Sequence, residues 1–318
     1  MAGTIRQRVA PTQVVGAAGR ALARRASAAP IAEGRLHAGT MVELDGRGST
    51  YVIDIPGPPD APTIVLLHAL GCTSHLSWYP SLGPLSEHFR VIAFDQRWHG
   101  RGIQSQNFRL ADCADDVAAI ADALGVQRFS VAGYSMGGAI AQLVWKQHRD
   151  RVEGLVLAAT ARNFRGRQVE RAWFAITQTA MNRFAERAKL GVTRHASKLA
   201  PEISHQVADH ELASWALGQF RSTSSWAMLA VLDEIGHFDS SPWIGQVKVP
   251  TSIVVAANDK VIPTHRQHRL AESIPLAMSY EFAGNHAGMV LGAERFVPTF
   301  VEACRSVTRR QGSGKNTP

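Results

Sequence analysis

Between an apolar run at 129–132 and a helical apolar pattern at 138–147 stands Gly133-Tyr134-Ser135-Met136-Gly137. A serine in so tight a strand-to-helix turn is held in a strained backbone conformation. The residues two positions either side must be glycine, because side chains there would collide across the turn. The pentapeptide therefore commits the chain to a strand with a helix folded back on it. It also lifts the Ser135 hydroxyl above the end of a sheet and sets the Met136 N–H at the amino end of a helix, where it can bind a developing oxyanion. Ser135 is a candidate nucleophile on these grounds; the bland alternative is a glycine-rich turn without chemistry.

The rest of the chain supplies the sheet this turn requires. Short apolar runs at 63–67, 91–94, 129–132, 155–158, 252–256 and 279–282 are mostly bounded by Gly, Pro or polar turn residues, as strands are. Between several of them lie helical patterns, such as 111–124, where Val117, Ile120, Ala121 and Leu124 recur at i, i+3, i+4 and i+7. The expected class is α/β: a mostly parallel sheet with helices on both faces. Segments 41–44 and 51–55 read as an antiparallel hairpin opening that sheet. One stretch breaks the alternation. Residues 163–235 offer no strand, only helical segments around 169–190, 195–199, 205–220 and 224–232, and are expected to form an inserted all-helical lid over the carboxyl edge of the sheet. Its aromatics, Trp173, Phe174, Phe184, Trp215, Phe220 and Trp226, are read as lid packing, an apolar substrate wall, or both. The expected organisation is an extension at 1–38, a core at 39–162 and 236–305, the lid at 163–235, and a disordered basic tail at 306–318.

Charge bears on function only after it is divided along the chain. The net charge is +8, yet residues 1–38 carry six Arg against one Glu and residues 305–318 four basic side chains and no acid, which leaves the body 39–304 at −1. A near-neutral body has no electrostatic footprint for phosphate backbones, and no RRM, KH, helix-turn-helix or zinc-finger pattern is present; nucleic acid is not an expected partner. Arginines interrupt any signal-like apolar run in the first 38 residues, and no window long enough to span a membrane occurs. That extension is read as flexible or docked, with peripheral membrane contact through a basic amphipathic helix as the alternative. Cys72, Cys113 and Cys304 are odd in number and far apart, which fits a reduced, cytoplasmic setting and no disulfide framework. His265 and His268 lack a third ligand, so neither a metal nor a cofactor is expected.

Taken with the alternating elements, the serine turn makes the chain resemble the α/β-hydrolase superfamily over about 41–305, in its serine esterase and lipase-like branch with a helical lid. In that family the order is nucleophile, acid, histidine. The resemblance implies Asp259 as the acid, in the loop Ala256-Ala257-Asn258-Asp259-Lys260-Val261-Ile262-Pro263. The family's rival acid position, after the strand at 155–158, offers only Thr160, Ala161, Arg162 and Asn163. It implies His286 as the base, in Gly284-Asn285-His286-Ala287-Gly288. The second oxyanion donor is expected from the Leu70 N–H in His68-Ala69-Leu70-Gly71-Cys72, which is similar to the family's His-Gly-x stretch with Ala69 in place of glycine. His68 is read as fixing this loop and Cys72 as a small buried hydrophobe. The run Asp95-Gln96-Arg97-Trp98-His99-Gly100-Arg101-Gly102 resembles a structural turn of the family tied by its Asp and Arg, with Trp98 where glycine is common. A serine at the elbow argues against dehalogenase and epoxide-hydrolase chemistry. The expectation is hydrolysis of a small, apolar carboxylic ester through an acyl-enzyme. Lactonase, C–C hydrolase and cofactor-free perhydrolase activities remain open on the same three residues, as does a non-catalytic receptor or scaffold. Oligomeric state is not legible.

Overall fold

A computed structural model describes residues 37–164 and 225–314. Eight strands form one sheet: β1 (Thr40–Leu44), β2 (Gly48–Ile55), β3 (Thr63–Leu67), β4 (Arg90–Phe94), β5 (Phe129–Tyr134), β6 (Val152–Ala158), β7 (Thr251–Ala256) and β8 (Ala277–Phe282), in the order β1-β2-β4-β3-β5-β6-β7-β8. The hairpin β1–β2 is antiparallel and joins β4 antiparallel; every pairing from β4 through β8 is parallel. Parallel strands need crossovers, and these carry the helices α1 (Ser74–Ser86), α2 (Leu110–Ala123), α3 (Met136–Gln147), α4 (Ser225–His237) and α5 (Thr264–Glu272); α6 (Gly288–Leu291) and α7 (Ala293–Gly314) follow the last strand.

Helices on both faces explain why the strands read as unbroken apolar runs. Ile64 and Leu66 of β3 point into a core shared with Trp78 of α1 and Phe296, Phe300 and Val307 of α7. Their neighbours Val65 and Leu67 point the opposite way, into a core with Val117 of α2 and Ile140 and Val144 of α3. β5 lies in the middle of the sheet, buried at every residue.

Two sequence expectations need correction. The strand after α3 begins at Val152, three residues earlier than its apolar run; the run is interrupted at Gly154, which faces α7 so closely that a Cβ would strike Val307. The expected disordered tail at 306–318 is helical as far as Gly314. Phe296, Phe300, Ala303, Cys304 and Val307 repeat at i, i+4, i+7, i+8 and i+11 and are all buried, so the apolar stripe of α7 runs past residue 305. Two of the basic side chains that made this end look solvated are engaged: Arg309 pairs with Glu302, and the Arg310 guanidinium donates to the carbonyls of Leu276 (2.8 Å) and Thr251 (2.9 Å).

Of the expected lid, Asn163, Phe164 and α4 fall within the described residues; 165–224, with Trp173, Phe174, Phe184, Trp215 and Phe220, lie outside them, as do 1–36 and 315–318. The segment expected to be helical at 224–232 is α4, which runs on to His237 and is fastened to the core through buried Val231 and Ile235 and through Glu234, whose carboxylate accepts from the Leu110 N–H. Among the described residues no helix is long and apolar enough to cross a membrane.

Candidate active site

Ser135 sits between β5 and α3 with φ 54° and ψ −114°, a left-handed conformation that a side chain rarely adopts. Three contacts hold it there. The Ser135 N–H donates to the Ala158 carbonyl (2.9 Å), and the Thr160 hydroxyl donates to the Ser135 carbonyl (2.8 Å). The third is the close approach the glycines allow: a Cβ at Gly133 would meet the Gly137 carbonyl, and one at Gly137 the Leu67 carbonyl of β3. Both glycines are thus required by backbone contact.

The structure brings the three expected side chains together. The His286 Nε2 lies 2.9 Å from Ser135 Oγ, and its Nδ1 lies 2.7 Å from Asp259 Oδ2. A carboxylate can only accept, so Nδ1 carries the proton of the neutral ring and Nε2 is left to accept from the serine hydroxyl. Asp259 is buried, and its other oxygen accepts the N–H groups of Val261 (2.8 Å) and Ile262 (2.9 Å). Oδ2 also accepts from the buried Gln267 side chain (3.2 Å), which donates as well to the Ile262 carbonyl (2.7 Å) and accepts the Ala256 N–H (3.0 Å). Gln267 of α5 thereby fixes the acid loop on both sides. Sequence reasoning missed it, because nothing in its spacing distinguishes it from a solvent-facing glutamine.

The two expected oxyanion donors lie in the loop after β3 and at the first residue of α3, and among the described residues neither the Leu70 nor the Met136 N–H donates to a protein acceptor. The loop after β3 is built rigidly. Cys72 N–H closes a turn on the Ala69 carbonyl (3.2 Å) with Gly71 at φ 73°, and Thr73 caps α1 immediately after it. His68 is clamped to the loop after β4 at two points: its Nε2 accepts the Gln96 N–H (2.9 Å), and its carbonyl accepts from the Gln96 side chain (2.8 Å). Complete burial lowers the His68 pKa to about 4, so the ring is the neutral acceptor this bond needs. Cys72 is buried as expected, and burial pushes its thiol up to about 11.

In the turn after β4 the Asp and the Arg each tie a different contact. Asp95 accepts from the Ser74 N–H (2.8 Å), the Ser74 hydroxyl (2.7 Å) and the Arg101 N–H (2.9 Å), which holds the start of α1. Arg97 instead pairs with buried Asp116 of α2, which also receives Arg47 from the β1–β2 hairpin (2.7 Å). Trp98 takes φ 62° without being glycine. Its indole reaches the neighbouring loop, donating to the Ser105 carbonyl (2.9 Å) and packing on Phe108.

A family model described as the alpha/beta hydrolase fold matches residues 62–291, a span that holds Leu70, Ser135, Met136, Asp259 and His286. RutD of Serratia proteamaculans (strain 568), assigned as a carbamate hydrolase, is 28% identical over 255 residues, covering 75% of this chain and 89% of that protein. The 3-oxoadipate enol-lactonase 1 of Acinetobacter baylyi is 23% identical over 262 residues, covering 82% and 95%. Among solved structures, the enol-lactonase from Burkholderia xenovorans LB400 superposes with a TM-score of 0.65 at 23% identity, over 84% of this chain and all of that one, a likeness of fold.

Proposed function

This chain belongs to the alpha/beta hydrolase family, and from that membership we propose a serine-dependent hydrolase that cleaves a carboxylic ester with an apolar acyl or alcohol group. The observation that carries this reading is the continuous chain of hydrogen bonds from Asp259 through His286 to Ser135 Oγ. His286 Nε2 takes the hydroxyl proton as Ser135 attacks the acyl carbonyl, and Asp259 keeps the ring in the required tautomer and stabilises its charged form. The Leu70 and Met136 N–H groups donate to the tetrahedral oxyanion. Collapse expels the alcohol, which leaves with the proton from Nε2. Water, deprotonated by the same nitrogen, then attacks the acyl-enzyme; the carboxylic acid departs and Ser135 regains its proton.

A second reading, an endocyclic ester or a carbamate as substrate, is favoured by the names of the relatives, one an enol-lactonase and one assigned as a carbamate hydrolase. The chemistry at Ser135 is the same, and a lactone differs in that its leaving alcohol stays tethered in the acyl-enzyme. Labelling with a fluorophosphonate, followed by turnover of p-nitrophenyl esters of increasing chain length, simple lactones and N-alkyl carbamates, tests both readings. The expected result is one covalent adduct per chain on the unsubstituted protein and none on Ser135→Ala, with the best turnover naming the class. A wild-type protein that forms no adduct would overturn the hydrolase mechanism and leave a receptor or scaffold on the same fold.

A further inference from the structure

We propose that Tyr134 is a positioning residue for His286, setting through its hydroxyl the distance between the base and the serine beside it. The proposal rests on the reading of Ser135 and His286 as nucleophile and base. Tyr134 is the last residue of β5 and is covalently joined to Ser135; its side chain is fully buried. Its hydroxyl donates to the His286 main-chain carbonyl at 3.1 Å, and the Tyr134 hydroxyl oxygen in turn accepts from the Met289 N–H. The phenol ring stands edge-on to the His286 imidazole (5.7 Å between centroids) and to Phe296 of α7 (5.5 Å).

This contact joins two parts of the chain that the sheet keeps apart. β5 and β8 do not pair; β6 and β7 lie between them. The serine is fixed to the end of β5, whereas His286 rides on the loop after β8. That loop fixes its own second half, since the Asn285 side chain and carbonyl accept the N–H groups of Ala287 and Gly288, and the Ala287 carbonyl those of Val290 and Leu291. These bonds shape the loop without referring it to the serine. Among the described residues, the Tyr134 hydroxyl is the group that donates to the His286 carbonyl, and so it ties the loop to the strand that carries Ser135.

A buried tyrosine that merely satisfied its hydroxyl would stabilise the fold without setting a rate. The test therefore reads a rate on folded molecules: the second-order constant for fluorophosphonate labelling of Ser135, measured from pH 5 to 9 on wild type and Tyr134→Phe, with folding checked by circular dichroism. A small displacement of a reacting group costs about tenfold or more, so Tyr134→Phe is expected to label at Ser135 to the same final extent but about ten times more slowly on the pH plateau. Introducing 3-fluorotyrosine at 134, which retains the donor, should restore the rate to within about twofold by the same argument. Should the phenylalanine protein not fold, 4-fluorophenylalanine fills the hydroxyl's volume without a donor and is expected to show the same loss. A wild-type protein that labels, beside a donor-less variant labelling at an equal rate, would overturn this proposal alone; failure of 3-fluorotyrosine to restore the rate would do the same. A wild-type protein that does not label overturns the reading of Ser135 itself, and this proposal with it.

Discussion

His68 and His99 lie edge to face beneath the loops after β3 and β4, 5.0 Å between ring centroids and both fully buried. Burial lowers His68 from 6.5 to about 4; burial, with His68 as its neighbour, lowers His99 to about 3. The unfolded chain binds protons on both rings near pH 6.5, while the folded chain refuses them until well below. Their contribution to stability is therefore fully present above pH 6.5 and is lost as the pH falls toward 4 and then 3. Each pH unit in that window removes about 1.4 kcal/mol per histidine. At pH 5 the loss is about 2 kcal/mol for each ring and about 4 for both, a large part of a net stability of about 5–15 kcal/mol. Protonation of His68 also removes the lone pair that accepts the Gln96 N–H, so the loop expected to carry the Leu70 donor loosens with it. Urea denaturation at constant ionic strength from pH 8 to pH 5, on wild type and His99→Leu, measures the effect. The substitution removes one proton site and an Nε2 that has no described partner. It is expected to lower stability at pH 8 through the lost bond from Nδ1 to the Arg97 carbonyl, yet to recover about 2 kcal/mol of the loss between pH 8 and 5. Parallel losses in the two proteins over that range would refute the reasoning.

Asp116→Asn keeps the side-chain size but leaves Arg97 and Arg47 facing each other across a neutral group; it is expected to cost about 3–5 kcal/mol, read as a lower urea midpoint with an unchanged slope. A chain ending at residue 305 loses the buried Val307 and the Arg310 bonds to the edges of β7 and β8, and should melt roughly 5–10 °C lower, where removal of a solvated tail would leave the melting temperature unmoved.

The sheet was legible because burial on both faces makes a strand an apolar run, and the places where reading failed are those where this condition lapses. β8 is an edge strand with Met278, Ser279 and Glu281 exposed, so only 279–282 of its 277–282 stood out. At the end of α7 the difficulty was the reverse: Arg309 and Arg310 carry charge and suggest solvent, although Arg310 spends its charge on buried-edge carbonyls and Val307 faces the core. Ser135 was legible from the turn residues around it, and Asp259 and His286 through the family resemblance that this turn carries. Tyr134, Thr160 and Gln267 were not, since each acts through a hydroxyl or amide whose partner is set only by the folded sheet.

The place of the acid has a physical reason beyond the lack of a carboxylate after β6. There the Thr160 hydroxyl holds the Ser135 carbonyl, and its side chain fills the space above Gly138, where a Cβ would collide with it. The end of β6 is thus occupied in holding the serine turn, and the proposed acid and base stand instead on the loops after β7 and β8. Three strand spacings, about 14 Å, separate the axes of β5 and β8, so the loop after β8 must lean back across two strand ends to bring His286 within 2.9 Å of Ser135. It does so by folding around the Phe282 ring, against which a Cβ at either Gly284 or Gly288 would collide. Across that distance the Tyr134 hydroxyl, one residue before the serine, ties the loop that carries His286 to the serine's own strand, and this tie is the proposed brace.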